Sequence, residues 1–249
     1  MCGRYDSLIP RDAMVQLFGL TALPQSNFPP RHNIAPTQEI AIVRPRREEA
    51  GRELVMARWG LIPFFMKEKP DRPHINARAE TVERLPSFRE AFARRRCLIP
   101  ATGFYEWQHD GDRKQPWRFV RRDRDPFAFA GLWETARLGE EKIRSAAIIV
   151  TDANAVVAPV HDRMPVIIPA GVYDRWLDPE TTPDEARAML LPFPPELMEA
   201  YPVSKRVNSH VNDDEGLIAR VEIVPEREAP AVELDLLGAP VEAKARKRR

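Results

Sequence analysis

Four residues far apart in the chain carry groups that could act together if folding joined them: Cys2 in MCGRY, Asn76 in HINARAET, Glu106 in GFYEW and His161 in VHDRMP. Cys2 is the unusual one. Methionine aminopeptidases remove an initiator methionine when the next side chain is small, so loss of Met1 would leave Cys2 with a free α-amine and a thiol on adjacent carbons. Such a 1,2-aminothiol condenses with an aldehyde, first as an imine and then as a closed thiazolidine ring. An internal cysteine such as Cys97 cannot do this, because its nitrogen is held in an amide. An unperturbed α-amine titrates at about 7.7–8.0, which leaves a useful neutral fraction near pH 7. A carboxyl group and an imidazole are suited to moving protons in such a condensation. A carboxamide can orient an amine or a hydroxyl without exchanging protons. Each residue alone also has an ordinary explanation: asparagines cap turns, strand glutamates face solvent, and a terminal cysteine can be incidental.

Many short elements must position these groups. The 25 prolines in 249 residues are about twice the usual share and argue against long helices. DAMVQLFGL reads as a helix opened by Asp12 as N-cap and closed near Gly19. The proline-rich LPQSNFPPRHNIAPTQ reads as irregular. EIAIVRP, ELVMARWG, CLIP, GFYEWQ, QPWRFV, FAFAGLW and KIRSAAIIVT read as strands from their alternation and β-branched content. HDGD, centred on Asp110-Gly111, signals a hairpin turn. Ser87 and Glu90 stand at capping-box spacing, as do Thr182 and Glu185, the latter pair with Pro183 at the first helical position. Strands outnumber helices and no βαβ alternation appears. The expected fold is therefore a single α+β domain, mainly antiparallel and barrel-like sheet with short flanking helices.

Composition narrows the function classes. Hydrophobic residues at 43% and charged residues at 30% describe an ordinary soluble chain, long enough for a real core. Two cysteines make no disulfide framework and fit a reducing compartment. Arg4, Asp6, Arg11 and Asp12 interrupt the N-terminus, so no signal peptide is expected, and no apolar run is long enough to span a membrane. A cytoplasmic location follows, nucleoid-associated when the chain acts. Residues 31–100 hold fifteen Lys/Arg against nine Asp/Glu, whereas residues from 101 onward hold twenty-one against twenty-six. That asymmetry could form a local anion-binding surface, or balance out in three dimensions. The tail KARKRR reads as a disordered basic arm.

MCGRY, NIAPTQ, HINARAET, GFYEW, VHDRMP and PVSKRVN, in this order and spacing, resemble the SOS-response-associated peptidase (SRAP) family of abasic-site-processing proteins. The resemblance covers the chain to about Ile223, giving an expected domain at 1–223 without Met1, and leaves 224–249 as a C-terminal extension. It implies that abasic sites in single-stranded DNA are trapped as a covalent thiazolidine on Cys2, with reversal. In that scheme Glu106 moves protons, His161 protonates the sugar oxygen and assists reversal, and Asn76 orients the reacting groups. Arg4, Arg78 and Arg163 match positions that hold phosphates, and Asn33 and Pro36 match a loop beside the strand. Phe64 and Phe65 stand where relatives often carry tryptophan. Phe65 and Trp107 are the stacking candidates.

The implied partner is single-stranded DNA with abasic sites, bound by a monomer, with no cofactor and no membrane. His32, His74, His109, His161, His210 and the cysteines show no ligand spacing, so no metal is expected. Two other readings stay open. One is an N-terminal-nucleophile peptidase, a hydrolase in which the Cys2 thiol attacks an amide. The other is a non-catalytic reader of modified or single-stranded nucleic acid. The resemblance also raises lyase activity.

Overall fold

In the computed structural model, which describes residues 2–22, 29–46, 49–111 and 113–223, the alternating stretches pair into two sheets. The elements run β1 (Tyr5–Ser7), α1 (Arg11–Phe18), β2 (Arg31–Ile34), β3 (Glu39–Pro45), β4 (Arg52–Trp59) and β5 (Asn76–Arg78). Next come α2 (Arg89–Arg94), β6 (Arg96–Ala101), β7 (Gly103–Asp110), β8 (Arg113–Arg121), β9 (Phe127–Leu138) and β10 (Glu141–Asp152). β11 (Arg163–Pro165), β12 (Ile167–Ile168), α3 (Tyr173–Leu177), α4 (Pro183–Ala188) and β13 (Met198–Pro202) complete the domain. Strands β10-β4-β3-β6-β9 follow one another, and β9 pairs back onto β10, closing a five-stranded barrel. The second sheet, β13-β8-β7-β1-β2, is antiparallel throughout. The α+β, mainly antiparallel expectation holds, with one addition: β10 takes β4 and β5 as parallel partners.

Alternation explains how the layers pack. On β9, Phe127, Phe129 and Trp133 join one core with Trp59 of β4 and with Tyr5, Phe104 and Phe119 from the second sheet. Ala128, Ala130 and Leu132, on the opposite face, lie under the helices with Phe18, Phe92 and Trp176. Small side chains on that face let the helices approach closely. Gly131 is required by a close approach of another kind, since a Cβ there would lie 2.7 Å from Cys97 Sγ and 2.9 Å from Ile99 Cδ1.

Four local expectations need correction. Helix α1 begins after Pro10, with Asp12 inside its first turn, although Gly19 does close it at φ 58°. Ser87 caps nothing: Phe88 precedes α2, and Arg89 N already donates to Leu85 O at 2.9 Å, so the preceding turn satisfies a donor the serine would have taken. Arg31–Ile34, inside the proline-rich passage, is strand, because pairing of Ile34 with Tyr5 and Arg31 with Ser7 overrides local composition; residues 23–28 of that passage lie outside the described residues. Asp110 pairs with Arg113, so it belongs to the ladder and the reversal begins at Gly111, φ 58°. The Thr182 capping box forms as expected, with Glu185 N donating to Thr182 Oγ1 at 3.3 Å and Thr182 N to Glu185 Oε2 at 3.0 Å. Met1 and the basic tail at 224–249 lie outside the described residues. No helix among the described residues is long and apolar enough to cross a membrane.

A buried ion pair joins the second sheet. Arg118 on β8 donates from Nε and Nη2 to the two carboxylate oxygens of Asp6 on β1, both at 2.8 Å, and Asp6 is fully buried. Thr102 Oγ1 donates to the same carboxylate, and Arg118 Nη1 donates to the Tyr201 hydroxyl on β13. Gly103 leaves the room, since a Cβ there would lie 2.8 Å from Asp6 Oδ2. Removing one partner of such a pair strands a buried charge at a cost of about 3–5 kcal/mol. Asp6→Leu or Arg118→Met alone should therefore lower urea-unfolding free energy by about that amount, and the double variant by less than the sum of the two.

Candidate active site

Cys2 enters the core directly ahead of β1. It is fully buried, in one cluster with Tyr5 and Trp59. Its carbonyl accepts a 2.9 Å hydrogen bond from Asn76 Nδ2, and its Sγ lies 4.0 Å from Arg4 O. Asn76 is placed by β5, which lies parallel to β10 with Asn76 opposite Ile148. The Asn76 Oδ1 is buried and has no hydrogen-bond partner among the described residues, so one acceptor remains for a guest. Burial pushes the Cys2 thiol well above the ordinary cysteine range, and the nearby Glu106 carboxylate adds to the rise. At neutral pH this cysteine is a thiol, not a thiolate.

Glu106 stands on β7 opposite Trp117 of β8 and is only 3% exposed. Burial pushes its carboxyl up to about 7, with Asp162 adding to the rise. His161 ends the turn that follows β10. Asn154 builds that turn: its Oδ1 accepts from Val156 N and Val157 N, both at 3.0 Å, and His161 N donates to Val157 O at 3.0 Å. The His161 Nδ1 lies 3.0 Å from the Arg163 amide nitrogen, which can only donate, and 2.8 Å from Asp162 Oδ1, which can only accept. These contacts belong to two protonation states. Burial pulls His161 below the usual histidine value, with Asp162 opposing, so the amide contact is the one satisfied by the neutral ring.

Glu106 and His161 line one cleft of about 420 Å3, together with Trp107, His109, Lys114 and Asn208. The last three were not singled out from sequence. Asn208 ends PVSKRVN, and its place in that stretch is the signal that could have found it. His109 and Lys114 face each other across the β7–β8 ladder, a pairing that only the hairpin register reveals. Trp107 Nε1 donates to Asn208 Oδ1 at 2.7 Å.

The remaining candidates divide by exposure. Phe64 and Phe65 are 52% and 46% exposed and form an edge-to-face pair at 5.5 Å. Arg78 is exposed, and its side chain makes no hydrogen bond or ion pair among the described residues. Pro36 is half-buried in a turn with Thr37 at φ 72°. Arg163 is engaged by Glu80 and, at 2.7 Å, by Asp152. Arg4 and Asn33 act from behind the surface. Arg4 Nη1 donates to Asn33 Oδ1 and to Val207 O, both at 2.7 Å, and its guanidinium lies 5.9 Å from the Trp107 ring centre. Asn33 is fully buried, its Nδ2 bonded to the carbonyls of Val207, Ser209 and Asn212. Both hold the segment that presents Asn208. No group of three His, Cys, Asp or Glu among the described residues is placed to bind a metal.

The Glu106 environment has a thermodynamic signature. With a folded value of about 7 against an ordinary 4.5, the folded chain holds this proton more tightly than the unfolded chain. The contribution is full below pH 4.5 and is lost as pH rises through 7. It amounts to about 3 kcal/mol. Glu106→Gln should flatten the fall in stability between pH 5 and 7.5, measured by urea unfolding at both pH values.

Comparison with known proteins follows the same lines. The family model described as SOS response associated peptidase (SRAP) matches residues 1–210. The chain is 39% identical over 223 residues to the abasic site processing protein YoqW of Bacillus subtilis (strain 168), covering 88% of this chain and 99% of that relative. It is 27% identical over 227 residues to the abasic site processing protein YedK of Escherichia coli (strain K12), covering 89% of this chain and 100% of YedK. A crystal structure of a Bacteroides thetaiotaomicron protein superimposes with a TM-score of 0.78 at 26% identity, covering 89% of this chain and 100% of that one. With a shared fold, a matching family model over most of its length and relatives aligned nearly end to end, the chain belongs to the SRAP family.

Proposed function

We propose that this chain processes abasic sites in single-stranded DNA by capturing the ring-opened sugar aldehyde on Cys2. The observation that carries this reading is a buried carboxyl with a pKa of about 7 that shares a cleft with His161 and acts electrostatically on Cys2. The relatives' names, abasic site processing protein, agree with it.

Capture starts with opening of the deoxyribose. His161, in the protonated state that Asp162 holds, gives a proton to the ring oxygen as the bond from that oxygen to C1′ breaks, and the C1′ hydroxyl proton passes to the Glu106 carboxylate to leave an aldehyde. The α-amine of Cys2, free once Met1 is removed, adds to the aldehyde carbon and forms a carbinolamine. Glu106 in its protonated form donates to the departing hydroxyl, water leaves, the resulting carboxylate takes the N–H proton, and an imine remains. The Cys2 thiol then adds to the imine carbon while its proton passes to the nitrogen, closing the thiazolidine. A neutral thiol suits this order: the amine attacks first and the sulfur second. It does not suit a thiolate attack on a peptide bond. Asn76 keeps Cys2 oriented through its carbonyl and offers Oδ1 to the amine or a sugar hydroxyl.

For the strand, exposed Phe64 and Phe65 supply faces on which bases stack, and Arg78 supplies an uncommitted guanidinium for a phosphate. Arg163, Arg4 and Asn33 contribute by positioning, and Trp107 and Asn208 border the cleft.

The central experiment incubates the purified chain with single-stranded DNA bearing one abasic site and resolves adducts on a denaturing gel. Cys2→Ala should abolish the heat-stable adduct, and Cys97→Ser should retain it. A chain with a residue still joined ahead of Cys2, verified by mass spectrometry, should form none. Full adduct from that blocked form would sink imine chemistry. Full DNA-dependent function without any adduct would favour the non-catalytic reader.

Binding and chemistry should separate. Arg78→Ala should weaken capture and lower the salt dependence of binding by about 0.7 in the log–log slope, the value for one phosphate contact on single strands. Glu106→Gln should bind with the parental slope but crosslink at least tenfold more slowly. Parental crosslinking by Glu106→Gln would remove the carboxyl from the mechanism.

A further inference from the structure

The barrel carries a concentration of positive charge at its other end. On the β9–β10 ladder Lys142 sits directly opposite Arg137, and Arg144 opposite Thr135. Like charges directly across an antiparallel ladder destabilise it. Among the described residues, neither Lys142 nor Arg137 makes an ion pair. Arg144 Nη1 donates to Met56 O at 3.1 Å, while its Nε is buried with no hydrogen-bond partner. Arg44 arrives from β3, only 6% exposed, with Nε 2.9 Å from Glu53 Oε1 and its guanidinium 4.3 Å from the Trp133 ring centre. Strand β3 neighbours neither β9 nor β10, so these side chains meet across the barrel's end.

Arg44, Thr135, Lys142 and Arg144 enclose a cavity of about 260 Å3. The nearby carboxylates are otherwise occupied, Glu53 by Arg44 and Glu141 by Lys69, and Glu140 lies in the exposed turn between the strands. Asn76 pairs with Ile148, and Arg144 and Lys142 lie four and six residues earlier on β10, roughly 13 and 20 Å along the strand. The cavity is therefore separate from the cleft of Glu106 and His161. Its volume falls below the ~300 Å3 at which drug-sized sites begin, and its lining is guanidinium, ammonium and hydroxyl. That combination fits a compact oxyanion.

We propose that this end of the barrel is a phosphate-binding site. Arg144 offers its Nε, Arg44 a guanidinium held in place by Trp133 and Glu53, Lys142 a mobile point charge and Thr135 a hydroxyl. The bound charge offsets the Lys142–Arg137 repulsion, which otherwise has no compensation in the ladder. The phosphate comes either free in solution or as the 5′-terminal phosphate of a nucleic acid strand; both present the same dianion.

The test uses the full chain, thermal unfolding and titration calorimetry. Sodium phosphate should raise the unfolding midpoint beyond sodium chloride at matched ionic strength, as a ligand that binds only the folded state must. Lys142→Ala and Arg144→Gln should each weaken phosphate binding at least tenfold. Without phosphate, Lys142→Ala should unfold at a higher temperature than the parent, because it removes the repulsion. Both variants should still form the Cys2 adduct at the parental rate, so loss of this site and failure of the capture reading are told apart. A 5′-phosphorylated six-nucleotide strand that displaces phosphate, when the unphosphorylated strand does not, identifies the strand end as source; binding of phosphate alone identifies the free ion. Either result upholds the site. A parent that responds to phosphate no more than to chloride, or variants that bind it as the parent does, overturns it.

Discussion

Asp6 and Arg118 exchange two hydrogen bonds of 2.8 Å inside the second sheet, and the candidate active site depends on the register they fix. β1 meets β7 through Tyr5–Phe104 and Asp6–Gly103, and β7 meets β8 through Glu106–Trp117. A slip of one residue in either ladder would turn Glu106 to the opposite face of its strand. It would also bring Asp6 against apolar neighbours without its guanidinium, a cost of several kcal/mol. The pair thus excludes the wrong register more than it strengthens the right one. Cys2 lies four residues before Asp6, and Glu106 three after Gly103, so their relation follows from that single choice.

The barrel was legible where local rules dominate. Alternation in EIAIVRP and FAFAGLW, the Thr182 capping box and Gly19 at a left-handed helix end each need only near neighbours in sequence. Expectations failed where a distant partner decided. Arg31–Ile34 looks irregular until β1 pairs with it; Ser87 failed for a local reason, because the preceding turn takes over a helix donor. The parallel pairing of β10 with β4 and β5 could not be read from a chain lacking βαβ alternation, because α2 and strands β6 to β9 intervene between the partners.

The candidate site was legible as residue types but not as relationships. Glu106 has the alternation of an ordinary strand glutamate; only the packed sheet shows it buried. Part of the positive excess of residues 31–100 is neutralised in three dimensions. Arg31 meets Asp213, Arg52 meets Asp174, Arg95 meets Glu134 and Lys69 meets Glu141, each acidic partner coming from the later, acidic part. Conversely, Arg137, Lys142 and Arg144 belong to that acidic part yet stand with Arg44 in a cationic corner. Charge counted along a chain does not report where charge accumulates once strands are paired.

The burial of Cys2 has a consequence for survival under oxidative stress. Peroxides attack thiolates, and a sulfur held as thiol in an apolar setting gives them little to react with. Conversion to a sulfenic or sulfonic acid would remove the nucleophilic sulfur, the latter irreversibly. Burial therefore withholds the thiolate on which such oxidation depends. In the proposed capture, an aldehyde joined first to nitrogen would meet the sulfur at intramolecular range, where proximity replaces ionisation as the source of reactivity.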